Sequence, residues 1–194
     1  MAKVAWLTVV LMLAGTVAAQ AYSKQLTEDD IKSAVEYGKT RRGKDIVESG
    51  SPYFLRFGPF ALGYISTPWL EVASVARQAA GEYRDPTEDE IRTAISTSTG
   101  RLQIFAFVAE PLDDFWRDFH MVILQGERVV QPTLKQGRFI RAVSCTTRPC
   151  TVLAGLLAYF PDETLDTNAD IEIVVILKQG RKELRTKVSL GVLR

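Results

Sequence analysis

The sequence predicts an α+β fold: a helical N-terminal part of about three helices, then an antiparallel, β-sandwich-like C-terminal part of about six to seven strands. Three observations predict it. The text TEDDIKSAV at Thr27 to Val35 returns almost unchanged as TEDEIRTAI at Thr87 to Ile95, and both read as helix starts. Between them, Pro68 to Tyr83 carries a helical apolar stripe. After Gly100 the texture changes to short apolar runs cut by Gly, Asp and Asn, the spacing of antiparallel strands.

The chain opens with MAKVAWLTVVLMLAGTVAAQAYS. Lys3 precedes an apolar run from Val4 to Ala14 that is too short for a comfortable permanent span. Small residues follow, with Ala19-Gln20-Ala21 as an A-x-A cleavage site and a second cut available after Ala19. Residues 1–21 therefore read as a secretory signal peptide, cleaved near Ala21. Leu13-Ala14-Gly15 is followed by Thr16, where a bacterial lipoprotein carries the lipidated cysteine, so no lipid anchor of that kind is expected. The expected compartment is the periplasm or the exterior, with no permanent membrane span.

Of 24 basic residues the leader removes one, Lys3, which leaves 23 cations against 23 anions. A balanced chain has no global field to hold a polyanion, so nucleic acid is not an expected partner. The one dense basic stretch, Lys39 to Lys44, follows a predicted helix, where cations complement the negative helix end.

The domain reading is 22–99 for the helical, aromatic-rich region and 100–194 for the β region. In each TED copy a Thr is followed three residues later by an acid, Asp30 or Glu90: a capping box, with acids crowding the positive first turn. Ile31, Ala34 and Val35, like Ile91, Ala94 and Ile95, form one apolar stripe. Outside these windows the likeness ends, so the two copies are one helix-start rule used twice and not a duplicated unit. PYFLRFGPFALGYI (Pro52 to Ile65) is aromatic and broken by Gly58-Pro59, which predicts two short strands or an extended segment around a turn. Thr67-Pro68 opens the middle helix, with Pro in the first turn where its missing N–H costs nothing. Trp69, Val72, Ala73, Ala76, Ala79, Ala80 and Tyr83 are expected on one face, and Asp85-Pro86 as the stop. Leu102 to Glu110 is apolar on both alternating faces, as a central strand would be. The last arm alternates: Leu184, Thr186, Val188 and Leu190 face one way, Glu183, Arg185, Lys187 and Ser189 the other.

Few residues carry chemistry. His120 is the single histidine, so any Ser–His, Cys–His or His–metal mechanism must use this ring. Asp113, Asp114 and Asp118 lie close enough in sequence to orient it, and Trp116 and Arg117 are binding candidates in the same segment. Leu112, Phe115, Trp116 and Phe119 also have helical spacing, which favours aromatics tucked into the core. Cys145 and Cys150, four residues apart between strand-like flanks, read as a structural disulfide across a turn in an oxidising compartment. Redox pairs usually stand two apart at a helix start. Asp166, Asn168 and Asp170 offer alternating oxygens for Ca²⁺. An EF-hand needs Gly and Glu where Ile171 and Leu177 stand, so a polar strand connection is the favoured reading. Gly38-Lys39-Thr40 has the tail of a P-loop, but Ser33 stands where Gly is required. No G-x-S-x-G, S-x-x-K or H-E-x-x-H motif is present. No cofactor is expected. The sequence thus points to an exported envelope protein that binds or scaffolds a partner protein or small ligand. The alternatives are a hydrolase using His120 with a nearby Asp and, more weakly, a thiol-disulfide protein using Cys145 and Cys150.

Overall fold

Both capping boxes form in the computed structural model, which describes residues 24–111, 114–144, 150–177 and 182–194. Helix α1 runs Glu28–Thr40 and α3 runs Glu88–Ser98. The Thr27 hydroxyl accepts from the Asp30 N–H at 3.2 Å, and the Asp30 carboxylate accepts from the Thr27 N–H at 3.0 Å. At α3 the Glu90 carboxylate accepts from the Thr87 N–H at 2.8 Å and also takes both guanidinium nitrogens of Arg84, at 2.7 and 2.6 Å. Helix α2, Pro68–Gly81, starts with Pro68 in its first turn and the Thr67 hydroxyl accepting from the Leu70 N–H.

Trp69, Val72, Ala73, Ala76 and Ala79 of α2 are buried, on the predicted face. Gly38 lets α1 approach closely: a Cβ there would collide with the Ala73 carbonyl. Trp69 donates from Nε1 to the Ser33 hydroxyl at 3.0 Å and packs against Tyr37 and Tyr53. Tyr83 departs from the predicted stripe. The helix stops at Gly81, Tyr83 turns left-handed at φ 61°, and its ring is 84% exposed beneath the Arg42 guanidinium. The stop before Pro86 acts one turn earlier than the apolar spacing implies.

Among the described residues nine strands form two antiparallel sheets. The five-stranded sheet holds β1 (Phe54–Gly58), β2 (Ala61–Ser66), β3 (Arg101–Glu110), β6 (Leu134–Ser144) and β7 (Thr151–Pro161) in the order β1-β2-β3-β7-β6. The four-stranded sheet holds β4 (Phe119–Gln125), β5 (Arg128–Val130), β8 (Asp170–Leu177) and β9 (Lys182–Ser189) in the order β5-β4-β8-β9. The chain is therefore α+β, as its pattern predicts, with seven strands among the described residues after Gly100. Two more come from the aromatic segment before α2, and β2 pairs along its whole length with β3.

One continuous core joins the inward faces of both sheets with the helices. It includes Leu102, Ile104 and Ala106 of β3, Leu156 and Phe160 of β7, Met121 and Ile123 of β4, Ile173 and Val175 of β8, and Trp69, Val72 and Ala73 of α2. The sheets are also tied at their ends. Lys182 of β9 pairs with the buried Glu110 of β3. Lys135 of β6 donates to the Phe119 carbonyl of β4. Gly137 of β6 passes so close to the Trp116 carbonyl that a side chain there would collide with it.

Candidate functional site

Strands alternate their side chains between faces, so the inward set of the five-stranded sheet defines an outward one. On β3 the outward residues include Phe105 and Phe107; on β2, Leu62 and Tyr64; on β7, Gly155 and Leu157; on β6, Gln136, Arg138 and Ile140. Register brings them together. Tyr64 stands opposite Phe105, Phe105 opposite Leu157, and Gly155 lies between Phe107 on one side and Arg138 on the other. Tyr64 and Phe105 stack at 4.6 Å between centroids.

Gly155 is the centre of this geometry. With no side chain between Phe107 and Arg138, the sheet surface sinks into a groove of about 460 Å³, walled by Tyr64, Phe105, Phe107, Ile140 and Leu157 and rimmed by Gln136 and Arg138. That volume lies in the range of small-ligand sites. Its walls are open to solvent: Phe107 is 37% and Ile140 41% exposed. Burial, helped by the nearby Glu71 carboxylate, pushes the Tyr64 phenol up to about 12, so it remains a neutral hydroxyl at ordinary pH. The site thus offers an aromatic and aliphatic floor, a neutral phenol at one end and a guanidinium on its rim. Among the described residues Arg138 has no carboxylate partner.

The residues singled out in the sequence lie elsewhere. His120 is on β4, opposite Ile176, exposed on the outer face of the four-stranded sheet. Asp114 and Arg117 occupy the exposed turn before β4, where the Arg117 N–H donates to the Asp114 carbonyl at 2.9 Å and their side chains approach to 3.9 Å. Asp114 takes a positive φ of 53°, which a short polar side chain tolerates. Asp118 is half-buried beside them. Among the described residues no hydrogen bond or ion pair links His120 to Asp114 or Asp118, and Asp113 lies outside the described residues. Phe115 is fully buried, while Trp116 is half-buried between Phe115 and Phe139 of β6.

Cys145 is outside the described residues; Cys150, immediately before β7, is not free. Asp166 spends its polar groups on local structure. Its backbone exchanges two 2.9 Å hydrogen bonds with the Gln125 side chain, and its carboxylate accepts from the Asn168 N–H at 3.0 Å, an Asx turn. Asp170 is exposed at the head of β8. Among the described residues no group of three or more His, Cys, Asp or Glu side chains is placed to hold a metal ion.

The groove residues were missed as a set, although two signals for them exist. Leu102 to Glu110 is apolar on both faces, one face more than a two-layer sandwich needs. Gly155 interrupts an otherwise apolar strand, and such a glycine often marks the close approach of a ligand or another backbone.

No family model matches this chain, and no curated protein matches its sequence. A solved structure of a protein of unknown function from Burkholderia pseudomallei K96243 is similar over 86% of this chain and 94% of that one, at 10% identity and a TM-score of 0.41.

Proposed function

We propose that the chain is an exported binding module of the cell envelope and that the groove on the outer face of the five-stranded sheet is its working surface. The observation that carries this reading is the apolar trough over Gly155, edged by the Arg138 guanidinium, which has no carboxylate partner among the described residues. Monomeric proteins seldom leave a contiguous apolar surface uncovered without using it. The leader at residues 1–21 supports export to the periplasm or the exterior. Among the described residues no helix is long and apolar enough to cross a membrane. In an oxidising compartment Cys145 and Cys150, which lie between β6 and β7 in sequence, would close a disulfide.

The test uses N-phenyl-1-naphthylamine, a dye that brightens in apolar surroundings. The wild-type chain should bind it saturably. Phe107→Ser and Ile140→Ser should weaken binding about tenfold or more while leaving the unfolding midpoint near wild type, since both side chains are solvent-facing. Equal binding by wild type and both variants would place the working surface elsewhere.

A further inference from the structure

The groove runs along β6, and β6 is an edge strand whose eleven residues are all exposed. Its inner side pairs with β7; among the described residues no strand pairs with its outer side, which along 134–143 presents a row of backbone N–H and C=O groups. Only another extended backbone satisfies such a row in sequence. The strand reads LKQGRFIRAVS: three cations, Lys135, Arg138 and Arg141, and no acid. Lys135 is engaged with the Phe119 carbonyl and ring. Among the described residues Arg138 and Arg141 have no ion-pair partner. Phe139, Ile140 and Val143 are 45%, 41% and 53% exposed on the same strand.

The geometry points to β6 as the docking edge for an acidic, extended polypeptide segment of a partner protein. The segment continues the five-stranded sheet beyond β6, and the side chains on its groove-facing side do both jobs: apolar ones reach over the strand into the groove, and carboxylates between them meet Arg138 and Arg141, which share that face. This deepens the proposed groove function and rests on it. Charge selects the occupant. A second copy of β6 would gather three more cations into the same two-stranded ribbon with no acid to offset them, and like charges facing across strands are unfavourable. An acidic strand turns the same residues into attraction. Main-chain pairing then supplies affinity and the groove supplies selection of side chains, the division of labour in strand-addition complexes.

The experiment uses the full chain and labelled, end-blocked octapeptides read by fluorescence anisotropy: Glu-Val, with Glu and Val taking turns on one face and Thr filling the other; Lys-Val, built likewise; and Glu-Val with every second amide N-methylated along one edge. The expected result is binding of Glu-Val at least about tenfold tighter than Lys-Val, weakening with salt. N-methylation should cost about tenfold or more by removing ladder hydrogen bonds. Joint replacement Arg138→Glu and Arg141→Glu should invert the preference towards Lys-Val. Hydrogen exchange should show the β6 amides slowed by Glu-Val. Indifference to peptide charge or to N-methylation overturns the proposal. So does a β6-paired dimer of the chain alone, seen by sedimentation and by β6 protection without peptide. If no peptide binds while the dye still occupies the groove in a Phe107-dependent manner, the strand proposal falls and the groove reading stands. If the dye also fails, both fall.

Discussion

Glu90 shows how one side chain ties three parts of the chain together. It closes the capping box on Thr87 and receives the Arg84 guanidinium, so the carboxyl is held at about 2, below its ordinary 4.5, first by Arg84 and then by the Thr87 N–H. A depressed carboxyl stabilises the fold above its unfolded value and loses that contribution as pH falls towards the folded one. Denaturant midpoints of the wild type should therefore drop between about pH 4.5 and 2, and Glu90→Gln should flatten that drop and lower the plateau above it. Tyrosines give the opposite limb. Burial raises Tyr53 and Tyr64 to about 12, so ionisation costs stability as pH rises from 10 towards 12. Tyrosinate absorbance should show two late-titrating phenols, and Tyr64→Phe should remove one of them. The capping boxes were legible in the sequence because every partner lies within three residues. The Arg84 contact was not, since it depends on how the chain turns at Tyr83.

At the scale of elements, the contact between α1 and α2 hinges on Gly38, where a methyl group would meet the Ala73 carbonyl. Gly38→Ala should cost about 1–3 kcal/mol by overpacking, outweighing the helix-propensity gain of about 1 kcal/mol. Gly81→Ala, at an exposed helix end with nothing within 4 Å of the new atom, should instead leave stability unchanged or raise it by up to about 1 kcal/mol. Thermal unfolding should show a lowered midpoint for Gly38→Ala and an unchanged or raised one for Gly81→Ala. The apolar stripe of α2 was legible from its period, but its last member was not, because helix termination overrode the spacing at Tyr83. The alternation of β9 was legible too: Leu184 and Leu190 are buried while Glu183, Arg185 and Lys187 are exposed.

The whole molecule holds what local pattern could not express. Strands β1 and β2 lie before two helices in sequence yet complete the sheet begun by β3, a long-range pairing with no local signature. The same pairing aligns Tyr64, Phe105, Phe107 and Leu157 across three strands and leaves Gly155 as the low point between Phe107 and Arg138. The segment around His120 drew attention because it concentrates rare residues, whereas the groove is assembled from common ones by register. In the proposed function this trough, open because residue 155 is glycine, is where the molecule binds. Gly155→Leu tests it most directly, since a Cβ there meets Ile140 at 3.5 Å and Phe107 at 3.9 Å, ordinary contact distances, so the side chain can enter the trough without distorting the backbone. The prediction is an unfolding midpoint at or above wild type together with loss of N-phenyl-1-naphthylamine binding by about tenfold or more; a stably folded Gly155→Leu chain that binds the dye as tightly as wild type would contradict it.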